Sequence, residues 1–206
     1  MRLSEIQMRL LTVLTWELRA ASDGQLASRL GLTLKRLRRA ADRLRQRGLL
    51  ASWRTTSLSH DMQRPLASFE RGDELPDFAA IAWQLRKRWL SATRIPVRVY
   101  WATSAAEHIV GGVGGPLKRS LQLQHDLGVA EIWARRSPPP EQKWISEDIF
   151  RSWYLREARA KVPDALLVDE RDNQVKRVLE YGGQYSRQRL EDFHRYWSSR
   201  APYEIW

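Results

Sequence analysis

Leu32–Arg47, LTLKRLRRAADRLRQR, carries seven Lys or Arg residues: Lys35, Arg36, Arg38, Arg39, Arg43, Arg45 and Arg47. Leu34, Leu37, Ala41 and Leu44 recur through it at three- and four-residue steps. That period predicts a helix burying one apolar seam while cations cover the remaining surface. Arg29 lies just ahead, and Gly31 supplies a tight turn after a short helical stretch. A basic helix placed second in a helix-turn-helix pair can lie against phosphates and reach into a groove.

Working outward, Ser4–Leu18 has Ile6, Leu10, Val13 and Leu14 on one side, and Ser4 with Gln7 has capping-box spacing. Ser22-Asp23 can cap a second helix, Gly24–Leu30, and Thr33 can cap the basic one. Gly48 stops that helix. Leu49–Thr56 then reads as a strand, with Pro65–Phe69 as its returning partner and Ser57–Arg64 as the tip. These elements predict a winged helix-turn-helix over residues 1–72. The turn-rich Gly72–Pro76 would lead into an α/β domain over 73–206, making an α+β chain.

In that second half, Asp77–Leu90 predicts a helix, Pro96–Ala102 a strand, Ala105–Val110 a short helix, and Lys118–Trp133 an ordered, mostly helical stretch. Ile145–Ala160 does not separate strand from helix until a helical run at Ser152–Arg159. Beyond it come strands at Ala165–Val168 and Val175–Leu179, a helix at Ser186–Trp197 and a strand at Tyr203–Trp206. Gly111–Gly115 predicts a flexible hinge. Lys118 does not fall where a G-x-x-x-x-G-K-[ST] phosphate loop needs its lysine.

The net charge of +11 is concentrated: residues 1–54 hold twelve Lys/Arg against four Asp/Glu. Such a local excess marks a surface for a polyanion. No apolar run approaches a membrane span and no signal-peptide pattern stands at Met1, so the chain is expected to be cytoplasmic. The absence of Cys excludes disulfides, thiolate zinc sites and cysteine nucleophiles. His60, His108, His125 and His194 lack any HxH or HExxH spacing. Tyr181, Tyr185 and Tyr196 lack the partners of a strand-transfer nucleophile. The ten Trp residues predict core or interface anchors, with Trp53 packed and Trp197–Trp206 also a candidate homodimer surface.

Gln25–Leu50, QLASRLGLTLKRLRRAADRLRQRGLL, resembles the winged-helix domains of bacterial regulators. Pro163–Val168, PDALLV, and Val178–Gly182, VLEYG, resemble the core of the PD-(D/E)xK nuclease-like superfamily. That resemblance implies Asp164 and Glu180 as ligands of a Mg²⁺ ion that activates water. The usual lysine two residues past the acid is here Gly182. Lys176 shares a strand face with Glu180 as a displaced candidate, and Glu157 could add a further acid. The order of winged helix, His125–Trp133, Glu157–Arg159, PDALLV, LEYGGQY and a helix ending near RYW resembles the plasmid replication-relaxation proteins. It implies transcriptional control or replication maintenance on a plasmid or mobile element.

The expected partner is double-stranded DNA, contacted by Thr33, Lys35, Arg36, Arg38, Arg39, Arg43 and Arg54. Thr33, Lys35, Arg36 and Arg39 would approach bases, and Arg43 and Arg54 phosphates. The second domain is expected to serve dimerisation, partner contact or a second DNA surface, without catalysis or cofactor. The alternative is a Mg²⁺-dependent nuclease using Asp164, Glu180 and Lys176.

Overall fold

The computed structural model describes residues 3–59, 62–117, 120–136, 139–153 and 161–206. His60, Lys118, Glu157 and most of the stretch expected to be helical at Ser152–Arg159 lie outside the described residues. In chain order the elements begin α1 (Glu5–Thr12), β1 (Ala21–Ser22), α2 (Asp23–Arg29), α3 (Leu34–Gln46), β2 (Leu50–Ser59), β3 (Ala67–Phe69), α4 (Phe78–Ser91) and β4 (Thr93–Ala102). They continue with α5 (Ser104–Val110), α6 (Ser120–Arg135), β5 (Gln142–Ser146), α7 (Glu147–Trp153), β6 (Ala165–Asp169), β7 (Val175–Glu180), α8 (Arg187–Trp197) and β8 (Tyr203–Ile205).

This α+β chain divides into two compact units, and both are discontinuous. The first joins residues 1–58 to 94–137, and the second joins 59–93 to 138–206. The expected boundary at residues 72 and 73 is therefore corrected, and so is the expected hairpin. β2 neighbours β4 in a three-stranded sheet of order β1-β4-β2. Phe69, expected to return beside β2, instead pairs with Tyr203 as β3 runs antiparallel to β8. The reason is packing. Phe69 stacks on the Tyr203 ring at 5.1 Å and meets His194 edge-on at 4.8 Å, deep in the second unit.

In the first unit, α1 opens on the expected capping box: Gln7 N–H donates to Ser4 Oγ, and Ser4 N–H donates back to Gln7 Oε1 at 3.0 Å. Residues Val13–Glu17 then widen into a π-helical turn, closed by Leu18 N–H on Val13 O at 2.9 Å. A second capping box joins Ser22 and Gln25 and starts α2. Gln25 also reaches α6, its Nε2 donating to Leu127 O at 2.9 Å and to Glu131 at 3.0 Å. Ala20, Val99, Leu123 and Leu127 close one core cluster. β1 holds β4 with Ala21 opposite Tyr100 and Ser22 opposite Val99. β2 lies at the sheet edge, where α6 occupies its main chain: Leu58 N–H donates to Gln124 Oε1, and Gln124 Nε2 donates to Thr56 O.

The glycine run is a packed strap, which corrects the expected hinge. Val113 N–H donates to Thr15 O at 2.8 Å, Gly114 N–H to Glu107 Oε2 at 3.0 Å, and Gly115 N–H to Ala102 O at 3.0 Å. Amides so engaged have no donor left for a phosphate. A Cβ on Gly112 would lie 2.5 Å from Thr15 O, and one on Gly114 would collide with Thr103 O.

In the second unit a five-stranded sheet runs β3-β8-β7-β6-β5. Its pairs are antiparallel except β7 with β8, which is parallel. β6 is buried through Val168, so its unbroken apolar run reads as an interior strand. α4 and α8 pack on one another. Asp77 caps α4 through Ala79 and Ala80 N–H, and Ser186 caps α8 through Arg189 N–H. Trp197 and Trp206 are both buried, while Ser199 and Arg200 between them are exposed.

If Gly112 is part of a strap, Gly112→Ala destabilises by about 3 kcal/mol or more, adding a steric clash to the left-handed backbone cost. Gly48→Ala, with a similar φ of +70° and open space around it, costs about 1 kcal/mol. Urea unfolding of both variants checks this, and equal losses would contradict the strap.

Candidate nucleic-acid interface

α3 begins where Thr33 Oγ1 accepts from Arg36 N–H at 3.3 Å and ends through the left-handed Gly48. Its 13 residues bury Leu37, Ala40, Ala41 and Leu44. Leu34, expected in that seam, is 44% exposed instead. At 100° per residue the buried four fix the outward face. Lys35, Arg39, Asp42 and Gln46 form its central stripe, with Arg36 and Arg43 along one flank and Arg38 and Arg45 along the other. An open concavity of about 730 Å³ runs along this face, lined by Leu34, Lys35, Arg38, Arg39, Asp42, Arg43 and Gln46.

The expected contact residues separate by their partners. Lys35, Arg36, Arg39 and Arg43 are exposed and form no ion pair with the described residues. Arg54 on β2 is also exposed, and so is Trp53 beside it at 56%, contrary to the packed role expected for that indole. Thr33 is exposed but its hydroxyl serves as the helix cap. Arg38 is different: its Nε and Nη2 donate to Asp23 Oδ2 at 2.8 and 2.6 Å. Asp23 is buried at the start of α2, so Arg38 clamps the two helices of the turn. Arg29 turns away from the surface and lies over the Trp133 ring at 5.5 Å. Burial lowers its pKa, against the pull of nearby Glu17. Glu17 accepts from Trp133 Nε1 at 2.5 Å, and burial raises its pKa.

Three residues missed in the sequence reading join this surface. Asp42 and Gln46 lie on the central stripe, and Arg98 of β4 borders a second concavity of about 480 Å³ with Asp42, Arg45 and Gln46. The helical period alone places Asp42 and Gln46 outward. Arg98 depends on a strand pairing that no local signal gives.

In the second unit, Asp164 and Glu180 do come together. The β6–β7 register sets Ala165 opposite Leu179, bringing the acids to one end of the hairpin. Both are buried and held by protein donors. Tyr181 N–H donates to Asp164 Oδ2 at 2.6 Å, and the Tyr185 hydroxyl donates to Glu180 Oε1 at 2.7 Å. Burial and then the charges of Glu180 and Asp164 push the Tyr185 hydroxyl far above its ordinary range, so it stays a donor. Arg189 donates to the same hydroxyl at 2.8 Å and stacks on its ring at 3.6 Å.

Lys176 is not in this site. Its Nζ sits at the far end of β7, 3.4 Å from Asp172 and 3.7 Å from Asp169, and about 13 Å of strand separates it from Glu180. The position that would carry the usual lysine, Gly182, has no room for a side chain: an added Cβ would collide with the buried Leu85 of α4. Arg88 closes the same corner, its Nη2 donating to Gly182 O at 2.8 Å and Trp206 O at 2.7 Å. Among the described residues no group of three or more His, Asp or Glu is placed to hold a metal. One oxygen of each enclosed acid accepts from a protein donor, and Gly182 packed against Leu85 stands where the usual lysine would, so the lining differs from the hydrolytic Mg²⁺ centre that the resemblance implies.

Restoring the lysine should therefore not create activity. Gly182→Lys is expected to lose about 3 kcal/mol in urea unfolding through the clash with Leu85, with no Mg²⁺-dependent cleavage gained. A stable, cleaving variant would contradict the plugged site. No family model, no curated protein and no solved structure matches this chain.

Proposed function

We propose that this protein is a sequence-specific double-stranded DNA-binding protein of the winged helix-turn-helix kind. α3 enters the major groove, and the β2 and β4 strands form the wing. The observation that carries this reading is the outward face of α3, where Lys35, Arg36, Arg39 and Arg43 stand exposed without an ion pair among the described residues. Cations that are left without partners on a helix clamped by Arg38 and Asp23 are preorganised for phosphate and base edges. Arg54 and the exposed Trp53 extend the surface along β2.

The second unit is read as a nuclease-like core that does not cut, serving partner contact, dimerisation or a further DNA surface. The placement of Asp164 ahead of β6 and Glu180 at the end of β7, with a helix following, supports that likeness. The plug at Gly182 weighs against cleavage. The resemblance to the replication-relaxation proteins supports a role in transcriptional control or replication maintenance on a plasmid or mobile element.

A titration on the duplex flanking the protein's own gene, repeated at several salt concentrations, tests the reading. Wild type is expected to show a slope of log affinity against log salt of about −4, one step of roughly 0.9 for each released counterion. The triple variant Lys35→Ala, Arg36→Ala, Arg39→Ala should lose at least about 100-fold in affinity for the cognate duplex together with its sequence preference, while Arg43→Ala with Arg54→Ala should flatten the slope by about 2. Unchanged affinity would sink the proposal. Supercoiled plasmid incubated with the protein and Mg²⁺ or Mn²⁺ should be bound and remain un-nicked; nicking abolished by Asp164→Ala would favour the nuclease instead.

A further inference from the structure

A single acid interrupts the cationic face of α3. Asp42 stands on its central stripe, with Lys35 and Arg39 toward the helix start and Gln46 one turn further on. Its environment is built rather than incidental. Arg45 Nη1 lies 3.1 Å from Asp42 Oδ1 and Arg98 Nη1 3.9 Å from the same oxygen, so both guanidiniums hold one side of the carboxylate. Arg98 comes from β4, the strand next to β2. Asp42 lines both concavities on this face, the one along α3 and the one bounded by Arg45, Gln46 and Arg98.

A carboxylate there is poorly suited to a phosphate, which it repels. The floor of the major groove offers it suitable donors: only the amino groups at cytosine N4 and adenine N6 point hydrogens there. We propose that Asp42 is a base-reading residue, its carboxylate accepting from an exocyclic amino group of cytosine or adenine. Arg45 and Arg98 act as positioning residues, turning the carboxylate outward and offsetting its repulsion of the surrounding backbone. The inference rests on the DNA-binding reading and deepens it by naming what the middle of the interface recognises. Asp42 also acts as a filter, since any docking that places a phosphate over the centre of the stripe meets like charge.

The test is selection from a pool of randomised duplexes with wild type, Asp42→Ala and Asp42→Asn, each confirmed folded by circular dichroism. Wild type is expected to enrich a motif with one column restricted to cytosine or adenine. Asp42→Ala should lose that column, with its other columns kept and its discrimination there falling about tenfold. It should also bind a scrambled duplex several-fold more tightly. Asp42→Asn, with both an acceptor and a donor, should move the column to adenine. A motif unchanged in Asp42→Ala overturns the inference alone, whereas wild-type binding that enriches no motif overturns both the inference and the sequence specificity of the reading while leaving duplex binding intact. Wild type that binds no duplex overturns the DNA-binding reading and this inference together.

Discussion

The first unit depends on β4 reaching the middle of its sheet. Until Thr93–Ala102 settles between β1 and β2, Val99 has no core cluster to enter and Tyr100 no partner in Ala21. The end of β4 also fixes the turn after α3. Thr103 Oγ1 donates to Gly48 O at 2.7 Å, and Thr103 N–H donates to Leu49 O at 3.1 Å. The chain makes its excursion through the second unit before these bonds can form. Closing so long a loop costs only about 2 kcal/mol more than closing a four-residue turn, because the entropic penalty grows with the logarithm of length. Burial of Val99 and Tyr100 is on the order of 3–6 kcal/mol by area, which exceeds that cost and makes the insertion thermodynamically tolerable.

The same logarithm explains what was legible in the sequence. Capping at Ser4, Ser22 and Thr33, the stop at Gly48 and the strands around Leu166 and Val178 all follow from signals within a few residues. Pairing partners do not. A strand at Leu49–Thr56 followed by apolar residues at Leu66 and Phe69 looks locally like a hairpin, and nothing within that window shows that Phe69 belongs beside Tyr203. The alternation in PVRVYWA was visible, but its destination was not. Arg98 is hidden from a local reading for that reason, while the helical period places Asp42 and Gln46 outward although neither adds to the positive charge that marks the stretch.

The acidic pair shows the opposite case, in which the motif was legible and its chemistry was not. PDALLV and VLEYG bring Asp164 and Glu180 together as their spacing implies. What surrounds them decides what they do, and those neighbours come from elsewhere in the chain: Leu85 and Arg88 on α4, Tyr185 before α8 and Arg189 within it. A buried carboxylate is costly without donors, and each acid here has a strong one. Such a pair contributes to structure by tying the hairpin end to its neighbours.

Charge on α3 is subject to a similar correction, because formal charge and available charge differ. Arg38 is committed to Asp23, Arg45 leans on Asp42, and Arg29 rests against Trp133. Of the seven basic residues between Leu32 and Arg47, Arg47 is half-buried, and Lys35, Arg36, Arg39 and Arg43 stand exposed to displace counterions. The committed ones still matter, since a polyanion is gripped best by cations whose helix cannot rotate. Arg38 supplies that rigidity through a bond to a carboxylate at the N-terminus of α2, where the helix dipole also favours negative charge. Electrostatic strength at the surface and mechanical stiffness beneath it are thus drawn from the same run of arginines, and only their partners distinguish the two uses.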